Sequence, residues 1–183
     1  MIIRAHRFNT ILLLSITVAL ACGCHTPKSK QKQVLATIHL HEEMNPDPMG
    51  STEVITVHRD PLVTMNVRKE YFLGEANVKA ASVVDTLGGS YALSIQFDRQ
   101  GSWLLEEYTA ASRGRHIAIF SQFVNPKEDT LNKGHWLAAP KIVNHITDGL
   151  FIFTPDVTRE EAEQIAVGLN NVAKNVQNPA PGE

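Results

Sequence analysis

The chain has 183 residues, a formal net charge of −2 and two cysteines. Charges of both signs are interspersed, with no basic stripe for nucleic acid and no acidic tract for binding many cations. Two cysteines cannot form a disulfide framework, so the fold must rest on a hydrophobic core.

Residues 1–21 read as a signal peptide. Arg4 and Arg7 precede the uncharged run ILLLSITVALA from Ile11 to Ala21, the length of a signal h-region and shorter than the roughly 20 residues a bilayer span needs. Cys22 and Cys24 follow at once, each after a small residue, Ala21 or Gly23. This placement resembles a bacterial lipobox, with Ala where the usual Leu stands three positions before the cysteine in both registers. Acylation of one of the two cysteines is therefore expected, and residues 22–32 form the lipidated region and a polar tether containing KSKQK. A C-x-C pair is also half of a thiolate metal site, but no second cysteine pair completes it.

Residues 33–176 are expected to be one folded domain, followed by a disordered tail at 177–183. QVLATIHLHEE alternates as a half-buried strand, with Val34, Ala36, Ile38 and Leu40 on one face and Leu35, Thr37, His39 and His41 on the other. MNPDPMGST reads as a turn, and TEVITVHR and PLVTMNV as strands separated by Asp60-Pro61. Two strands flank Gly88-Gly89. Asp98 to Ser112 reads as a helix burying Leu104, Leu105, Tyr108 and Ala111, closed by Gly114. HIAIFSQFV is a strand, NPKEDTLNKGH a polar loop and GLFIFT another strand. Thr158 and Glu161 form a capping box for a last helix with the buried stripe Ala162, Ile165, Ala166 and Leu169. These elements give an α+β fold: one mostly antiparallel sheet with two main helices packed on one face.

The chain has no G-x-S-x-G, H-E-x-x-H or phosphate-loop pattern. His39 and His41 share a strand face, and Glu43 extends the row. Two imidazoles and a carboxylate suit zinc, against the plainer reading of a solvent-facing polar row on an edge strand. The expectation is no metal and no cofactor, with His39 and His41 the weak candidates. His116, His135 and His145 are scattered, with no carboxylate at fixed spacing. Asp156, Glu160, Glu161 and Glu163 cluster at a helix start, where the helix dipole accounts for them. Trp103 and Trp136 are candidate partner anchors if exposed and core if buried.

An ordered series of pieces runs through the domain: Pro61, then YALSIQFDRQGS with Gly101, Leu105 and Thr109, then GRHIAI from Gly114 to Ile119. Ala139-Pro140, Ile142, Ile146, Gly149, Phe153-Thr154 and Glu161-Ala162 follow. From about Glu53 to Leu169 the chain thereby resembles the head subdomain of the first periplasmic region of SecD, the accessory subunit of the bacterial protein-export translocase. The resemblance implies scaffold roles for these residues and a catalytic role for none. It implies a module that holds unfolded or extended polypeptide emerging near translocon subunits. Three departures stand out: no later segment supplies the transmembrane helices that carry proton coupling in SecD, nothing matches the family's ferredoxin-like base half, and Asn125 to His135 is longer than the family's short turn.

The expected function is a non-catalytic lipoprotein of the cell envelope, lipid-anchored on the extracytoplasmic side, that binds polypeptide and assists export. The alternatives are a structural partner of a fixed envelope complex and, more distantly, a metal-dependent hydrolase using His39, His41 and Glu43.

Overall fold

The computed structural model describes residues 34–57, 62–125, 130–131 and 134–177. The expected signal peptide, Cys22, Cys24, the tether and the tail beyond Gln177 lie outside them. The strands are β1 (Ala36–Glu42), β2 (Thr52–Val57), β3 (Val63–Arg68), β4 (Leu73–Gly74), β5 (Val78–Asp85) and β6 (Tyr91–Phe97), then β7 (Ile117–Asn125), β8 (Thr130–Leu131), β9 (His135–Ala138) and β10 (Leu150–Phe153). The helices are α1 (Arg99–Ala111) and α2 (Arg159–Gln177).

The fold is α+β, with mostly antiparallel strands and two helices. The strands divide among three hydrogen-bonded sheets rather than one: β4-β1-β7-β8 with β9 also on β7, then β10-β6-β5, and the ribbon β2-β3. The reason lies in β1 and β7, which carry apolar or aromatic groups on both faces. Register pairs Ala36 with Phe123 and Leu40 with Ile119, so one face joins the main core. The same register pairs His41 with Ala118 and His39 with Phe120 on the other face. A single layer would leave that second face in water. The ribbon covers part of it, burying Ile55, Val57, Met65 and Val67 with Ala118, each large aliphatic contributing roughly 1.5–3 kcal/mol.

Both helices contribute to the main core, α1 through Leu105 and Tyr108, α2 through Ile165, Ala166 and Leu169. At the start of α1 the Asp98 carboxylate accepts the Gly101 N–H at 2.7 Å, an N-cap. Gly101 is small by necessity: a Cβ there would lie 2.8 Å from that of Asn77. The helix buries Thr109 and leaves Ala111 exposed, a rotation of the expected face by part of a turn. The capping box of α2 forms reciprocally: the Thr158 N–H donates to Glu161 Oε2 at 2.9 Å, and the Glu161 N–H to Thr158 Oγ1 at 3.3 Å. All four residues of the expected α2 stripe are buried. Gly168 lets this helix close on β1, since a Cβ there would lie 2.6 Å from the Ala36 backbone nitrogen.

The segment expected as a polar loop after β7 also carries structure: Leu131 pairs with Val124, and His135 with Ser121. Its polar composition hides short strands that add to an existing edge. No helix among the described residues is long and apolar enough to cross a membrane.

Candidate functional site: an open strand edge and its groove

The sheet β10-β6-β5 has two outer edges, and they are treated differently. At β5 the Asn170 amide from α2 stands in for a neighbouring strand. Its Nδ2 donates to the Ala81 carbonyl at 2.8 Å and its Oδ1 accepts the Ala81 N–H at 2.9 Å. Such cover removes a sticky edge.

Among the described residues nothing covers the β10 edge in this way. The Phe97 N–H donates to the Gly149 carbonyl at 3.0 Å, and the register continues as Phe151 opposite Ile95 and Phe153 opposite Leu93. In an antiparallel ladder the hydrogen-bonded pairs alternate. Residues 149, 151 and 153 therefore face β6, and Leu150 and Ile152 turn their N–H and C=O groups outward. The Leu150 N–H is taken by Asp148 Oδ1 at 3.0 Å. Ile152 keeps an outward donor and acceptor with no strand paired to them among the described residues, and the residue is 51% exposed.

Beside this edge runs an apolar groove of about 300 Å³. Ile142, Val143 and Ile146 line one side, and Leu150, Phe151 and Ile152 the other. Val143 is 71% exposed. The far wall is pinned from within. The buried Thr109 hydroxyl donates to the Leu105 carbonyl at 2.8 Å and accepts the Ile146 N–H at 3.1 Å. Arg115 accepts the Ile142 N–H through its carbonyl at 2.8 Å, and the Ile142 carbonyl accepts from Gly114 at 2.9 Å. Gly149, at φ 68°, turns the chain into β10, and a Cβ there would collide with the Ser102 hydroxyl. Thr109, Gly114, Pro140, Ile142, Ile146 and Gly149 were singled out in the sequence as an ordered series. In the fold they converge on the frame of this groove.

The histidine row is rearranged. β1 is an interior strand between β4 and β7, not an edge. His41 is 6% exposed, with Nδ1 2.9 Å from the Arg68 carbonyl oxygen and its ring edge-on to Trp136 at 5.0 Å. His39 stacks on Tyr71 at 4.1 Å and lies 3.4 Å from Glu75. The row is thus an aromatic-covered face rather than a solvent-facing one, because Tyr71, Phe120 and Trp136 close over it. Glu43 leaves the row. Its Oε2 accepts from the His116 N–H at 2.7 Å and lies 2.9 Å from His116 Nδ1. Burial pushes the Glu43 carboxyl up, but the His116 hydrogen bonds outweigh it and hold it below the usual range. Among the described residues no group of three or more His, Cys, Asp or Glu is disposed to hold a metal.

Two of the three scattered histidines do find carboxylates, at separations no local spacing reveals: His116 with Glu43, and His145 with Glu106 at 3.6 Å. Of the helix-start carboxylates, Glu161 serves the capping box and Glu163 pairs with Arg159 at 3.1 Å. Trp136 is half-buried against His41 and Phe120; Trp103 is 60% exposed on α1. Sequence reasoning missed Val143, Leu150 and Ile152 as site residues. The signal was present in GLFIFT, where Leu150 and Ile152 alternate with the inward Phe151 and Phe153.

A model of the SecDF P1 head subdomain family matches residues 52–173. Among solved structures, a SecDF described as a membrane component that enhances protein export is 20% identical, with TM-score 0.52 over 77% of this chain and 64% of that one. SecDF in a super-membrane-facing form is 20% identical, with TM-score 0.51 over 74% of this chain and 18% of that one. The chain thus spans just under two-thirds of the first of these and a small part of the second. At this identity the likeness is one of fold. No curated protein matches the chain.

Proposed function

The chain belongs to the SecDF P1 head subdomain family, and from that premise we propose that it is a non-catalytic envelope module that binds extended polypeptide at β10 and assists protein export. The observation that carries this reading is the outward Ile152 N–H and C=O beside a groove of about 300 Å³. An added strand gains main-chain hydrogen bonds that ignore sequence and places alternate side chains in an apolar groove. That chemistry suits many unfolded clients, and it agrees with the solved SecDF that enhances protein export. In this reading Cys22 or Cys24 carries lipid, and the module acts on the extracytoplasmic side of a membrane near the translocon.

Ile152→Pro tests the reading. Proline removes the outward N–H and leaves the β6 ladder intact, since edge strands tolerate proline where the N–H faces solvent. Affinity for a permanently unfolded probe, reduced and carboxymethylated α-lactalbumin, is expected to fall by about tenfold, the equivalent of one to two lost hydrogen bonds. Circular dichroism should be unchanged. Equal binding by both proteins would remove β10 from the mechanism.

A further inference from the structure

The outward main-chain groups of β10 are not equivalent. The Leu150 carbonyl and both groups of Ile152 have no strand paired to them among the described residues. The Leu150 N–H is already filled by Asp148 Oδ1 at 3.0 Å. This cap is held in place from both sides. The Gln96 side-chain amide donates to the Asp148 carbonyl at 3.0 Å, and the adjoining Gly149 sits against Ser102 with no space for a Cβ.

The two directions in which a strand could be added use these groups differently. In an antiparallel ladder one guest residue exchanges both bonds with one host residue. A guest residue opposite Ile152 is then satisfied, but the one opposite Leu150 aims its C=O at a filled N–H and at the Asp148 carboxylate. In a parallel ladder the bonds slant, and one guest residue bridges two host residues. Its N–H donates to the Leu150 carbonyl and its C=O accepts the Ile152 N–H. The guest residue two further on donates to the Ile152 carbonyl. No guest carbonyl in this stretch meets Asp148. Parallel pairing is slightly weaker per residue, but a carbonyl set against a carboxylate loses a whole hydrogen bond and adds repulsion.

We infer, on the premise that β10 takes an added strand, that Asp148 sets the direction of the bound chain. An extended polypeptide lies parallel to β10, with its N-terminal side toward Asp148 and its C-terminal side toward Phe153. One hydrogen bond corresponds to about a tenfold preference for that direction.

The test is paramagnetic broadening of amide signals in the full-length chain in mild detergent. The peptide Gly-Ser-Val-Phe-Val-Leu-Ser-Gly carries a nitroxide on a cysteine added at its N-terminus or, separately, at its C-terminus. The N-terminal label should broaden the Gly149 and Phe97 amides, which lie together at one end of the ladder. The C-terminal label should broaden those of Phe153 and Leu93, paired at the other end. Asp148→Ala frees the Leu150 N–H, and each label should then broaden both groups. The reverse pattern, or an even mixture, in the unaltered chain would overturn the inference and leave β10 as the binding edge. So would a single, unchanged direction in Asp148→Ala. Broadening only away from β10, or no binding, would sink the β10 reading and this inference with it.

Discussion

His41 behaves as a core residue that happens to titrate. Burial lowers its pKa, and the nearby His39 adds to the effect; the Arg68 carbonyl and Glu53 oppose both without cancelling them. The folded-state value therefore lies below the ordinary one near 6.5, while the unfolded chain keeps that value. Protonation favours the unfolded chain, so stability is full above about pH 6.5 and falls as the pH drops toward the lower, folded value. Denaturant melts at about pH 7.5 and 5.5 should show a weaker protein at the lower pH, and His41→Leu should flatten that difference. An unchanged slope in His41→Leu would assign the effect to other groups. The carboxyl of Glu75 also sits below its usual range: burial pushes it up, but hydrogen bonds from His39 and the backbone prevail. Its contribution is lost only at lower pH, below about 4.5. Thr109 matters for a different reason. Thr109→Val keeps its shape but removes the acceptor of the Ile146 N–H, and should cost about 1–3 kcal/mol. A neutral melt for that variant would mean water replaces the hydroxyl.

α2 shows what local pattern reveals and what it leaves out. Its cap and its buried stripe were readable because both depend on spacings of three and four residues. Leu169→Ala should cost roughly 2–5 kcal/mol, and Thr158→Ala roughly 1 kcal/mol, both by denaturant melts. Gly168→Val should also destabilise, because the helix approaches Ala36 with no room for a side chain. A stable Gly168→Val would show that the helix shifts freely on the sheet. The family likeness, carried by Gly101, Thr109, Pro140 and Gly149, was likewise legible, since each is a small or turn-forming residue at a fixed place. The interior position of β1 was not legible. Whether a strand lies at an edge depends on partners tens of residues away, and His39 and His41 look polar until Tyr71, Phe120 and Trp136 close over them. The Glu43–His116 pairing is hidden for the same reason: it spans 73 residues. The open β10 edge needed the ladder parity, which only the register supplies.

At the scale of the whole molecule, the fold spends its two outer edges in the β10-β6-β5 sheet unequally. Asn170 closes β5, and among the described residues β10 stays open beside an apolar groove framed by residues of the ordered series read in the sequence. An exposed edge is a hazard that proteins usually cover; the open one next to exposed Val143 and Ile152 is the feature on which the proposed binding of extended chains rests. The most direct measurement is photo-crosslinking in living cells, with the probe placed in turn at Ile152, Val143 and, as a control beside the separate β4-β1-β7 sheet, Tyr71. The account predicts a broad smear of exported precursors, with or without translocon subunits, from Ile152 and Val143 and none from Tyr71. A single discrete band from Ile152, or equal smears from all three positions, would contradict it.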